Sequence, residues 1–208
     1  MKTKKSLPMV LRAQRCLFIL TLFTIVFSAS ISAAQSWPPC PTCPTTIPPT
    51  SVAWTSNSVI ASIQLCPAPA PPCNVQICYC TRTTSPGNND FTITQISIDN
   101  SGGCANCGPS YQTVIDGVNT WLLDHNPMNF PCPPCPTTTN FWGEVRGQCW
   151  QQTTVNDIII FTWCGGLAYC NTRWKVCCDP ITGAQTRTKM STVITGQCNA
   201  GCNTVTCH

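Results

Sequence analysis

The chain has 208 residues, with 19 cysteines, 19 prolines and only 9% charged residues beside 43% hydrophobic ones. That apolar content excludes a wholly disordered chain, and the length suits one domain or two small ones. The formal charge of +4 suggests a nucleic-acid partner until the charges are located.

Lys2, Lys4, Lys5, Arg12 and Arg15 precede an apolar run from Cys16 to Phe27, which gives way to small residues through Ala34. A basic n-region, a short apolar h-region and an A-x-A-like exit form a secretory signal peptide over residues 1–34, cleaved after Ala34. The alternative is a membrane anchor, since Cys16 to Ala34 is 19 residues and just long enough to span. The Ser/Ala-rich exit favours cleavage, so no transmembrane anchor is expected afterwards.

Cleavage removes five of the 11 basic residues and leaves six against seven acids. Phosphate recognition needs clustered Lys and Arg. Arg82, Arg146, Arg173, Lys175, Arg187 and Lys189 are scattered, and no nucleic-acid partner is expected.

Cleavage also removes Cys16 and leaves 18 cysteines: Cys40, Cys43, Cys66, Cys73, Cys78, Cys80, Cys104, Cys107, Cys132, Cys135, Cys149, Cys164, Cys170, Cys177, Cys178, Cys198, Cys202 and Cys207. An even number in an exported chain reads as up to nine disulfides of undetermined pairing. The location is then extracytoplasmic: periplasm, cell surface or medium. No Asn-x-Ser/Thr acceptor follows the leader, which favours a bacterial exported protein over a eukaryotic glycoprotein.

Residues 35–57 form a Pro/Thr/Cys-rich linker, since proline fixes φ and lacks a donor. A disulfide-rich, mainly β (or α+β) domain follows over 58–208. Val59, Ala61, Ile63 and Leu65 alternate as in a strand. In Phe91 to Ile98 the apolar phase slips at Gln95, which suits a bulge. Tyr111, Val114, Ile115, Val118, Trp121 and Leu122 then fall on one face of a helix over about 110–125. Ser110 caps it and Asn126-Pro127 stops it, with Asp116 and Asn119 pointing away from the buried face.

Phe141 to Trp150 alternates as one strand, and Ile158 to Cys164 follows an Asn156-Asp157 turn. Arg173 to Cys178 turns through Asp179 to Gly183 into Ala184 to Thr195, so the C-terminal half reads as an antiparallel meander. One internal match is close. Pro39-Cys-Pro-Thr-Cys-Pro-Thr-Thr46 recurs as Pro131-Cys-Pro-Pro-Cys-Pro-Thr-Thr138, with seven identities in eight. Two related β-units, 58–107 and 137–208, joined by the helix and the Pro-rich CPPC segment, would explain it.

Catalytic groups are few. The Cys132/Cys135 motif resembles the dithiol of thioredoxin-like reductases, but Pro131 precedes it and Pro136-Thr137-Thr138-Thr139 is a poor helix start. A redox role for this pair is one alternative. A tetrathiolate metal site joining Cys104/Cys107 to Cys132/Cys135 is another.

Only His125 and His208 could serve as histidine bases. His125 falls in the last helical turn, where a cation complements the dipole. The seven tryptophans read first as core; if exposed, they would suit glycan contact. The leading expectation is a non-enzymatic structural, surface-associated or binding protein without cofactor or metal. Its contacts would be cell surface, matrix or glycan, and the ligand is unspecified.

Overall fold

The structure is a computed structural model and describes residues 36–45, 51–100, 104, 107–165 and 168–207. The signal peptide expected over 1–34 lies outside the described residues, as does His208. Among the described residues the fold is mostly β with one helix, as expected. In order come β1 (Thr55–Ile63), β2 (Cys73–Ser85), β3 (Asn88–Asp99), α1 (Tyr111–His125), β4 (Asn140–Gly147), β5 (Cys149–Val155), β6 (Ile158–Trp163), β7 (Tyr169–Cys178), β8 (Gln185–Thr195) and the short β9 (Asn203–Thr204).

Two antiparallel trios lie side by side. β1 pairs β2 and β2 pairs β3; β4 pairs β7 and β7 pairs β8. They meet where Asn88 to Thr92 of β3 run parallel to Phe141 to Val145 of β4. Farther along, Gln95 to Asp99 pair instead with β6, which folds back from β5 through Asn156 and Asp157 at φ 48° and 62°. Two consecutive residues with positive φ make the tight hairpin that these residue types favour.

The sheet therefore forks. β3 bonds β2 along one edge and divides the other between β4 and β6. β3 is the innermost strand, buried from Asn89 to Ile98. The expected bulge is present one residue from Gln95: Cys78 faces Gln95 and Tyr79 faces Ile93, which leaves Thr94 as the extra residue. Its hydroxyl donates to the Cys78 carbonyl at 3.2 Å.

The C-terminal half is not the simple meander read from the sequence. The alternation through Phe141 to Trp150 breaks at Gln148, whose N–H donates to the Ala168 carbonyl (3.1 Å) and whose carbonyl accepts from Val205 (2.8 Å). β4 thus joins β7, while β5 turns away to β6 and β9. Periodicity fails there because both faces of β4 are buried from Trp142 to Arg146, Glu144 and Arg146 included, so polar and apolar residues no longer sort onto solvent and core faces. Gly147 sits at the branch, where a Cβ would lie 2.5 Å from Trp163 Nε1 and 2.6 Å from its Cδ1. Only a residue without a side chain lets the indole fill the fork.

The helix begins as read. The Ser110 hydroxyl accepts from the Thr113 N–H at 3.1 Å, and Asn126 ends the helix at φ 45° with its own N–H on the Leu122 carbonyl. Val114, Ile115, Val118, Leu122 and Leu123 are buried. They belong to one core cluster with Ile77, Ile96, Phe91, Trp142 and Val176. Fully burying one such side chain is worth about 1.5–3 kcal/mol.

One expectation is corrected. Asn119 does not point away from the core; it is buried beside Val118. Its amide is accommodated by donating to the Ile115 carbonyl one turn back, at 3.0 Å.

Candidate functional site

Every cysteine from Cys40 to Cys207 is paired. Cys40–Cys78 and Cys43–Cys80 pin the N-terminal Pro-rich segment to β2. Cys66–Cys107 and Cys73–Cys104 fasten the segment after β3 to the β1–β2 connection. Cys132–Cys178 and Cys135–Cys177 pin the CPPC segment to the end of β7. Cys149–Cys198 and Cys164–Cys202 fasten the segment after β8, and Cys170–Cys207 holds the C-terminus. Their Cα–Cα distances run from 5.2 to 6.5 Å, within the span a disulfide bridges without backbone movement.

The two trios are stapled in the same places. In each, a CxxC segment before the first strand reaches two cysteines of the middle strand. Two cysteines after the third strand reach back to cysteines between the first and middle strands or, for Cys73, at the first residue of the middle strand. The partners within each group are exchanged: Cys40 takes the earlier middle-strand cysteine, Cys78, whereas Cys132 takes the later, Cys178.

This pairing decides what the CPPC motif is in the folded chain. Cys132 and Cys135 are bonded to separate partners and not to each other. The loop between them is zipped onto β7, with the Cys135 N–H on the Cys178 carbonyl and the Cys178 N–H on the Pro133 carbonyl, both at 2.9 Å. No helix follows to lower a thiol pKa, and Thr138 instead closes a turn on Pro134. Nor do Cys104 and Cys107 join Cys132 and Cys135 around a common centre, since each pair is bonded elsewhere. The sulfurs of Cys66, Cys73 and Cys104 do lie within 4.8 Å of one another, but disulfide bonding leaves them no thiolate to offer a metal.

The charged residues, scattered in sequence, converge across the sheet. Asp90 of β3 takes Arg82 Nε of β2 at 3.1 Å and Arg173 Nη1 of β7 at 2.9 Å. Side-chain exposure is 2% for Arg82 and 3% for Asp90, so the charges are held away from water. The Arg82 guanidinium also lies 4.1 Å from the centre of the Trp54 ring. Gly143 stands opposite Asp90 in the parallel pairing, and a Cβ there would run into the Asp90 carboxylate and the Arg173 guanidinium. The cluster ties the two trios at their seam. Reading it from sequence would have required the β3–β4 register.

A second buried charge lies on β4. Glu144 accepts from Trp174 Nε1 at 3.1 Å, and on the same face Arg146 pairs with Asp116 of α1. Burial pushes the Glu144 carboxyl above its ordinary pKa; the Trp174 bond, Arg146 and Lys189 oppose this, and Asp116 reinforces it. A carboxylic acid favoured in its neutral form by the fold contributes stability below its unfolded pKa and loses it as pH rises through the folded value. Glu144→Gln should therefore be more stable than the wild type at neutral pH, with the difference vanishing toward pH 4. Denaturation midpoints across that range check this, and a constant difference would contradict it.

The remaining ionisable groups make local contacts. His125 stacks on Trp121 at 4.5 Å between ring centroids, with Nδ1 3.0 Å from the Trp121 carbonyl. Its neighbour Asp124 pairs with Arg187. Asp179 accepts from the Ile181 and Thr182 N–H groups and the Thr182 hydroxyl, which hold its pKa low and shape the β7–β8 turn. None of the seven tryptophans is freely exposed: Trp142, Trp150 and Trp163 are buried, and Trp37, Trp54, Trp121 and Trp174 are half-buried.

A cleft of about 400 Å³ opens between the β2–β3 hairpin and the segment after α1. Thr55, Thr81, Thr83, Asn89 and Asn129 line it beside Phe130. It offers hydroxyls and amides, with Arg82 also in its lining. No family model, curated protein or solved structure matches this chain.

The arrangement thus provides cross-links, a buried charge cluster and a polar cleft bordered by Arg82 of that cluster. Among the described residues no helix is long and apolar enough to cross a membrane. The disulfides indicate an oxidising, extracytoplasmic setting.

Proposed function

We propose that this chain is an exported, non-enzymatic bacterial protein that acts as a structural, surface-associated or binding module, built from two copies of one stapled three-stranded unit. The observation that carries it is the use of every cysteine beyond the leader in a disulfide, with none left as a nucleophile or ligand. Nine cross-links suit a protein that must persist without chaperones or a reducing cytoplasm. The matching positions of the staples in the two trios support the duplicated unit. The burial of Asp90 and Glu144 within ion pairs and hydrogen bonds supports a structural role for those charges.

The test is expression of the full chain in an exporting bacterial host, followed by alkylation of the unreduced product and intact-mass measurement. The expected product begins at Gln35, leaves the cytoplasm and takes up no alkylating agent. A reactive, reversibly reducible Cys132/Cys135 pair would overturn the non-enzymatic reading, and retention in the cytoplasm would overturn export.

A further inference from the structure

The chain carries its own example of how two of these units join. The third strand of the first trio, β3, runs parallel to the first strand of the second, β4, from Asn88↔Phe141 to Thr92↔Val145. The same two kinds of strand stand open at the far ends of the sheet. Among the described residues β1, a first strand, pairs with β2 alone, and β8, a third strand, pairs with β7 alone.

Each third strand carries a bulge, Thr94 in β3 and Met190 in β8, and matching the bulges sets the two trios in one register. Strand pairing rather than the cysteines fixes this equivalence. Thr92 then corresponds to Thr188 and Ile98 to Ile194, and through the middle strands Val145 corresponds to Ile60. The matched residues differ in burial. Val145, inside the joint, is 1% exposed, whereas Ile60 is 61% exposed. Ile98, paired with β6, is 1% exposed, whereas Ile194 is 61% exposed. Met190 and Val193 are exposed as well, where their counterparts Thr94 and Ser97 are buried. Both open edges thus present apolar side chains at positions that a neighbouring strand covers elsewhere in the same chain.

We propose that β8 of one copy takes β1 of the next in the parallel arrangement of β3 and β4, so that copies add head to tail. This rests on the duplicated unit proposed above. The equivalent register sets Thr188 beside Ile60 of the next copy and Arg187 beside its Val59. Arg187 and Val59 share the face that α1 covers, and Thr188 and Ile60 share the other. β1 contains no charge, so Arg187 and Lys189 of β8 meet none. Beyond Ile60, the rest of β1 and the connection to β2 pass along Met190, Val193 and Ile194, the stretch that β6 covers on β3. The contact joins two different patches and leaves each added copy with an open edge, so growth does not stop at two.

Sedimentation of the oxidised mature protein from micromolar to millimolar concentration tests it, with Ile60→Lys blocking one edge and Thr188→Lys the other. The wild type should form species larger than dimers that grow with concentration. Each variant alone should self-associate about tenfold or more weakly with unchanged circular dichroism, since its lysine would be buried in the joint. Mixed in equal amounts, the two variants should form a heterodimer and nothing larger, because one keeps an intact β8 and the other an intact β1. Should either fail to fold, Ser58→Lys or Thr186→Lys replaces it at an exposed position of the same edge.

A wild type that stays monomeric or stops at a dimer would overturn the proposal, as would a mixture of the variants that stays monomeric. Dimers of Thr188→Lys alone would overturn it in favour of β1 pairing with β1. Bridge closure and export are measured separately, so a monomer that takes up no alkylating agent overturns the assembly and leaves the stapled module standing.

Discussion

Asp90→Ala should lower stability by about 3–5 kcal/mol, the loss associated with removing one partner of a buried ion pair. The reason lies in what remains. Arg82 is held at 2% side-chain exposure, and Arg173 is only partly open to water at 34%, so two guanidiniums would face each other at the seam without their shared carboxylate. Asp90→Asn keeps the shape and one acceptor oxygen, and its effect should be smaller but of the same sign. Urea denaturation with the disulfides intact measures both, as a shift of midpoint at constant slope. A loss below about 1 kcal/mol for Asp90→Ala would mean that water screens the cluster as it does an exposed pair.

Opening one doubly stapled loop should have an effect of similar size through the unfolded chain instead. Cys132 and Cys178 close a loop with a sequence separation of 46, and chain-entropy bookkeeping gives about 4 kcal/mol for a loop of that length. The quadruple variant with Cys132, Cys135, Cys177 and Cys178 all changed to Ser should lose about that much, whereas Cys132→Ser/Cys178→Ser alone should lose far less and still fold, because Cys135–Cys177 closes nearly the same loop. Reduction of all nine bridges is a different experiment, with full loss of tertiary structure as its expected outcome. Near-ultraviolet circular dichroism of the tryptophans reports it. A native spectrum after complete reduction would show that the apolar core suffices without the staples.

The sequence is most legible where one physical cause acts locally. The helix from Tyr111 to His125, its Ser110 cap and its Asn126 stop all follow from side chains within a few residues of one another. So does the Asn156-Asp157 hairpin, whose positive φ values those residue types tolerate. The fork at Gly147 was not legible, because it depends on Trp163 arriving from β6, the strand that lies between β3 and β5. Asn119 misled for a related reason: a polar side chain usually marks a solvent face, and here a bond to the preceding turn replaced water.

The disulfide pairing combined both situations. The recurrence of the Pro-Cys motif near Cys40 and Cys132 was visible. Its partners lay about forty residues away, and only strand register chose among them. The Asp90 cluster was wholly a product of register, drawing on β2, β3 and β7 with a glycine of β4 making room.

The staples also determine how the molecule would carry tension. A pull on the chain at Cys40 and Cys207 passes straight from Cys40 to Cys78, back along β2 to Cys73, and across to Cys104. From there the load follows the helix to Cys132, crosses to Cys178, and returns along β7 to Cys170 and Cys207. β1, all of β3, the β4–β5–β6 fork and all of β8 lie off this covalent path. Stretching would straighten a short tether while the rest stayed slack, and full unravelling would require bonds to break rather than strands to part.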